Sequence, residues 1–187
     1  MTGFKDQLWN LPNTISIVRI AVSPVLIFLL LSPDEARSVI SAALFVSVCL
    51  TDWLDGYLAR KMGDVTVIGK FLDPLADKIL IMTALIMLIP PGRIPAWMVA
   101  LIVAREIAVT GLRAVAVRSG VVISASRLGK AKTVLQMCAV TPLLLHYPFF
   151  GIDFHAIGAV IIWVALFVTL LSGGEYFAGF FKGEAAR

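Results

Sequence analysis

Asp52, Asp55, Asp73 and Asp77 are the residues of this chain whose type and spacing can do chemistry. Asp52, Asp55, Gly56, Ala59 and Arg60 recur at i, i+3, i+4, i+7 and i+8 and so share one stripe of a helix, while Gly69, Asp73 and Asp77, four apart, share another. A short connection separates the two stripes, and four carboxylates facing one another across it are expected to hold divalent metal. Oxygen as the sole ligand type favours Mg2+ or Mn2+ over zinc. Gly56, Ala59 and Gly69 could serve plain helix packing, but interleaved with the acids these small residues are expected to leave room for a ligand to approach the backbone.

The elements that must hold these acids are membrane spans. Of the 187 residues, 59% are hydrophobic and only 15% charged, and the mean hydropathy is +0.93, which is the composition of a polytopic membrane protein in one domain. Apolar stretches at roughly 14–31, 38–59, 70–90, 95–117, 128–147 and 154–172 predict six transmembrane helices. None alternates with period two, which argues against a barrel. Met1 to Trp9, with Phe4, Leu8 and Trp9 beside Lys5 and Asp6, reads as a short interfacial helix leading into the first span. The first apolar run lacks a small-residue cleavage site after it and reads as uncleaved. Pro74 fits a first helical turn, so the third span is expected to begin not far before Asp73.

An even number of spans puts both ends on one side. Alternating the loops leaves Arg37 and Arg93 on one side and the other 14 of the 16 basic residues at or toward the opposite side, which places both termini in the cytoplasm. The pI of 9.3 is therefore a topology signal, and no nucleic-acid partner is expected. Cys49 and Cys138 fall within apolar spans as small buried hydrophobes, with no disulfide or zinc spacing. His146 and His155 border the outer face, and Tyr147, Phe149, Phe150 and Phe154 around them read as an interfacial aromatic belt.

Counted from Ser38 and Pro90, helical rise places Asp52 and Asp77 about 20 Å into the membrane and Asp55 and Asp73 about 26 Å in. In a hydrocarbon core of about 30 Å, all four lie at matched depths in the inner third. Pairing with Arg60, Lys61, Lys70 and Lys78 as ordinary interface charges is the plain alternative, but four ionised acids at that depth are costly without a cation. A divalent-cation channel or transporter would need a path to both faces, and the outer halves of the spans carry almost no polar lining.

Residues 52 to 77 read D-W-L-D-G-Y-L-A-R-K-M-G-D-V-T-V-I-G-K-F-L-D-P-L-A-D. This resembles the signature of the CDP-alcohol phosphotransferases, D-x2-D-G-x2-A-R-x8-G-x3-D-x3-D, at every fixed position. The resemblance implies six transmembrane helices, a homodimer, and transfer of a phosphatidyl or related group from a CDP-linked donor to an alcohol with release of CMP. It also implies roles. Asp52, Asp55 and Asp73 would be chiefly ligands of two Mg2+ or Mn2+ ions, with Asp77 at the metal edge and acting as general base. Arg60 would hold donor phosphate, and Gly56, Ala59 and Gly69 would admit cytidine and pyrophosphate. Such chemistry needs neutralised phosphoryl oxygens, an aligned hydroxyl and a nearby base.

Beyond the signature, Glu106, Thr110 and Arg113 share a helical stripe, as do Lys132 and Gln136. They suggest a second polar pocket opening to the cytoplasm, with Arg105, Arg113, Lys130 and Lys132 lining it, suited to a small acceptor that carries its own phosphate. Positive-inside bias alone could account for Arg118 and Arg127, and Arg105 could simply neutralise Glu106. Together with the opening N-L-P-N-T-I-S-I-V-R, these segments resemble the bacterial branch of the family that joins CDP-diacylglycerol to sn-glycerol 3-phosphate. That resemblance implies phosphatidylglycerophosphate and CMP as products, an inner-membrane location with the site facing the cytoplasm, and Asn10, Thr14 and Arg19 near the donor. Siblings that use phosphatidylglycerol or inositol phosphate would keep the same signature.

Overall fold

The computed structural model describes the backbone of residues 11–32, 34–62, 67–118 and 126–181, and side chains over the same ranges except 11–13, 15, 52–62 and 67–73. Six helices account for almost all of it: α1 Leu11–Leu30, α2 Glu35–Met62, α3 Val67–Met87, α4 Ala96–Arg118, α5 Arg127–Leu145 and α6 Phe154–Phe181. The shortest, α5, has 19 residues, about 28 Å at 1.5 Å per residue. Each expected span falls on one of these helices. Among the described residues, α6 is the helix that is long and apolar enough by itself to cross a membrane, judged on length and composition. The expected interfacial helix at Met1–Trp9, and Asn10, lie outside the described residues.

Local chemistry sets the helix ends. Asp34 opens α2, its Oδ1 accepting the Arg37 amide at 2.7 Å; Ser126 caps α5, its hydroxyl accepting from Gly129 N at 3.0 Å; and Asp153 accepts from Ala156 N at 3.0 Å in the first turn of α6. Pro90 and Pro91 cannot continue α3, and Gly92 takes φ +72° as the chain turns toward α4.

Three expectations are corrected. Pro74 lies inside α3 rather than in its first turn, because the helix already begins at Val67; a proline inside a helix removes one backbone donor, a loss that packed membrane helices tolerate. Strands occur in this predominantly helical fold: Pro148–Phe149 (β1) pairs antiparallel with Ile152–Asp153 (β2). The turn between them uses positive φ at Phe150 (53°) and Gly151 (76°), the conformation that favours a two-residue hairpin. Finally, Cys138 is exposed on the outer surface of α5, and Cys49 is only partly covered.

The pairs α5 with α6 and α1 with α3 pack most extensively. Gly158 makes the first contact close: a Cβ there would stand 2.9 Å from the backbone nitrogen of Leu143. Along its length the bundle divides into two halves. Leu26 and Leu30 of α1, Leu85 of α3 and Leu88 just after it, Met98 of α4, Leu143 of α5 and Ile162 of α6 form an apolar core. Toward the opposite end, the same helices except α3 bury near their middles Arg19, Arg105, Glu106, Lys132, Gln136, Thr169 and Ser172. Apart from Arg93, buried charge thus collects near the level of Asp77, at the middle of α3.

At the far end Arg93, expected as a simple loop charge, is 3% exposed. Its guanidinium donates to the carbonyl of Leu144 at 2.6 Å and to Ser38 Oγ at 2.8 Å, and it lies over the Tyr147 ring. One cation therefore ties the start of α2 to the unsatisfied carbonyls closing α5.

Candidate active site

The four signature carboxylates are carried by two helices. Asp52, Asp55, Gly56, Ala59 and Arg60 lie on the last turns of α2, and Gly69 and Asp73 on the first turns of α3; their side chains lie outside the described residues. Asp77 is described. Its Oδ1 accepts from Nη1 of Arg19, and the two side chains are 31% and 2% exposed. Arg19 therefore reaches from α1 to Asp77, and Thr14, one turn earlier on α1, is half-buried.

Asp77 also borders a cavity of about 140 Å³ between α3, α4 and α5. Its polar lining is Asp77, Lys78, Glu106, Lys132, Thr133 and Gln136, over an apolar floor that includes Ile81, Leu85 and Ile102. That volume holds several waters or one small polar molecule. It is far too small for a diacyl lipid.

Glu106 organises the wall facing Asp77. Its Oε1 accepts from Arg105 Nη1 at 2.9 Å and from Lys132 Nζ, so one buried carboxylate carries two cations. Arg105 is in turn held by α6, donating through Nε to the Thr169 carbonyl at 3.1 Å and through Nη2 to Ser172 Oγ at 2.6 Å. Gln136 donates to Thr169 Oγ1 at 3.1 Å. Simple mutual neutralisation of Arg105 and Glu106 does not describe this cluster, because Lys132 adds a second positive charge to the same oxygen.

The expected second pocket is thus partly assembled and partly redistributed. Glu106 and Lys132 line the cavity beside Asp77. Arg105 stands behind Glu106, turned toward α6. Arg113 lies over the ring of Tyr176 at 5.6 Å from its centroid and is not among the lining residues. Lys130 is exposed; two residues from Lys132, it points about 200° around the helix and away from the cavity.

Several site residues were not singled out by the sequence. Lys78 enters the cavity and donates to Thr110 Oγ1 at 2.5 Å; in the sequence it reads only as a counterion beside Asp77. Thr169, Ser172 and Tyr176 belong to the second half of α6, beyond or at the edge of an expected span ending at 172. Their recurrence at i, i+3 and i+7 in an otherwise apolar helix is the pattern that could have found them. Tyr176 also accepts from the amide of Ser126 at 2.9 Å, fixing the start of α5.

Among the described residues no three His, Cys, Asp or Glu side chains gather as a metal cluster. Three of the four signature acids lie outside that description. The signature's donor set is wholly carboxylate and carried on α2 and α3, without imidazole or thiol. Such a set fits Mg2+ or Mn2+.

Comparison with known proteins bears on this geometry. A family model described as CDP-alcohol phosphatidyltransferase matches residues 9–171. A Bacillus subtilis (strain 168) protein named CDP-diacylglycerol--glycerol-3-phosphate 3-phosphatidyltransferase is 46% identical over 183 residues, covering 91% of this chain and 95% of the relative. A Rickettsia typhi protein of the same name is 41% identical over 169 residues, with 90% and 95% covered. A Mycobacterium tuberculosis (strain H37Rv) protein named probable phosphatidylglycerophosphate synthase is 39% identical over 177 residues, with 93% and 83% covered. With the eight-residue signature on α2 and α3 and matches that run through the whole bundle, the chain belongs to the CDP-alcohol phosphatidyltransferase family.

Proposed function

We propose that this chain transfers the phosphatidyl group of CDP-diacylglycerol to the primary hydroxyl of sn-glycerol 3-phosphate, giving phosphatidylglycerophosphate and CMP. The observation that carries the reading is the shared cavity: the carboxylate of Asp77 opens onto the same small polar space as Lys78, Glu106 and Lys132. Relatives of 39% to 46% identity named for this reaction support the choice of donor and acceptor.

The acceptor hydroxyl attacks the diacylglycerol-bearing phosphorus, a new P–O bond forms, and CMP leaves with the bridging oxygen. Asp77 takes the hydroxyl proton as general base. Arg19 holds that carboxylate in place. Asp52, Asp55, Asp73 and Asp77 would hold two divalent ions, Mg2+ or Mn2+, which when bound neutralise charge on the phosphoryl oxygens. Arg60 binds donor phosphate, and Gly56, Ala59 and Gly69 admit the cytidine and pyrophosphate. Asn10 and Thr14 flank the donor side. Lys132, set by Glu106 and Arg105, attracts the phosphate of the acceptor, while Arg113 and Lys130 contribute at longer range.

The chain is one membrane domain of six spans with both termini in the cytoplasm of a bacterium and the site at the cytoplasmic end of the inner membrane. Apolar side chains exposed on the outer faces, among them Phe28, Ile107, Val134 and Phe167, each at least 59% exposed, fit contact with lipid. The basic residues gathered toward the Asp77 end fit the orientation. The protein works as a homodimer among membrane lipids.

The test is an acceptor panel. Purified protein given CDP-diacylglycerol should form lipid product with sn-glycerol 3-phosphate and none with phosphatidylglycerol or inositol phosphate; product with inositol phosphate alone would replace this acceptor.

A further inference from the structure

We infer that Lys78 is a direct ligand of the acceptor's phosphate, completing with Lys132 a two-lysine clamp that selects a phosphorylated alcohol. This deepens the proposed function and rests on it.

Placement comes first. Lys78 follows Asp77 on α3 and lines the same cavity, whereas Lys132 lines it from α5 and Glu106 from α4. A phosphate held between the lysines therefore sits in the same small space as the base. A cavity of about 140 Å³ leaves a three-carbon phosphate little latitude, so fixing its phosphate also aims its hydroxyl.

Charge comes second. Lys132 has Glu106 as its ion-pair partner, and Asp77 has Arg19. Lys78 donates to a neutral hydroxyl, that of Thr110, and among the described residues it makes no ion pair within contact distance. The charged groups facing it are Glu106, Arg105 and Arg113. Among the described residues, Lys78, Lys132 and Arg105 thus stand about the Glu106 carboxylate, a surplus of two positive charges beside the Arg19–Asp77 pair. Excess like charge in a partly desolvated cluster is unfavourable. A phosphate monoester dianion offsets that surplus.

The third element is the neighbour that holds the amine. Thr110 donates its own hydroxyl hydrogen to the Glu106 carbonyl at 2.6 Å, which leaves its oxygen to accept from Lys78 and sets the amine at the cavity wall. An ammonium has three donors, and the bond to Thr110 occupies one.

The experiment compares Lys78→Gln and Lys78→Arg with the wild type in detergent, varying each substrate separately. Loss of a charge-assisted hydrogen bond predicts an apparent KM for sn-glycerol 3-phosphate raised about 10- to 100-fold in Lys78→Gln, with partial recovery in Lys78→Arg and an unchanged KM for CDP-diacylglycerol. An unchanged acceptor KM, or equal loss for both substrates, would overturn the inference while leaving the reaction intact. A wild type inactive with sn-glycerol 3-phosphate would remove the acceptor reading itself, and the clamp with it. Lysine acylation read by mass spectrometry tests the same contact in the unmutated protein: sn-glycerol 3-phosphate should slow modification of Lys78, and equal modification with and without it would contradict a direct contact.

Discussion

Arg19 on α1 and Asp77 on α3, 58 positions apart in the chain, form an ion pair beside the cavity. The pair joins two helices that pack extensively against each other, and it puts a buried cation on the one signature acid whose side chain is described. Arg19 is buried whereas Asp77 is partly exposed, so Arg19→Ala costs the charge-assisted hydrogen bond rather than stranding a fully buried carboxylate. It is expected to lower stability by about 1.5 kcal/mol and to reduce kcat more than either KM. Arg19→Lys should recover stability better than turnover, because one ammonium cannot reproduce the guanidinium's fixed geometry. Denaturation midpoints in detergent, with steady-state kinetics on the folded fraction, check both.

Asp77→Asn keeps the shape and most ligand oxygens of the site but removes the base. Donor binding and metal binding should persist while turnover falls by at least about 100-fold. Equilibrium binding of CDP-diacylglycerol measures the first, and CMP release the second. Collapse of donor binding would make Asp77 an essential ligand instead.

Glu106→Gln separates support from catalysis. The amide cannot balance Arg105 and Lys132, whose hydrogen bonds to Glu106 bury two cations on one oxygen. Stability should drop by about 3 kcal/mol, and the KM for sn-glycerol 3-phosphate should rise because Lys132 loses its anchor. The KM for CDP-diacylglycerol should change little, which kinetics with each substrate varied in turn will report.

Gly173 tests whether α6 tunes the pocket from behind. A Cβ at this position would lie 3.1 Å from Arg105 Cγ, closer than ordinary van der Waals contact. Gly173→Val is expected to displace Arg105, and through it Glu106 and Lys132, raising the acceptor KM although residue 173 does not line the cavity. Gly173→Ala should have a smaller effect in the same direction, and Gly174→Ala, where an added Cβ meets nothing, should have none.

The helices were legible in the sequence because long apolar stretches without period-two alternation favour helix, and all six expected stretches fall on helices. The polar stripes were legible too, since 3.6-residue periodicity relates Glu106 to Thr110 and Lys132 to Gln136 on single helices. Less legible was how separate helices face one another. Nothing in the sequence distance pairs Arg19 with Asp77, or turns Arg105 toward Thr169 and Ser172. Lys130 and Lys132 look equivalent as charges in a basic segment, yet helical rotation sends one to the surface and the other to the cavity. Arg93 looked like a topology marker, and its burial depends on unpaired carbonyls at the end of α5 that only the fold brings near.

The central claim is that this membrane protein uses its carboxylates to join CDP-diacylglycerol to sn-glycerol 3-phosphate. The most direct test is CMP release by the purified protein with both substrates and Mg2+, beside an EDTA control and an Asp73→Ala variant. The account predicts CMP release that requires sn-glycerol 3-phosphate and is abolished by EDTA and by Asp73→Ala. CMP release that persists in EDTA, or folded protein that releases none with any acceptor, would contradict it.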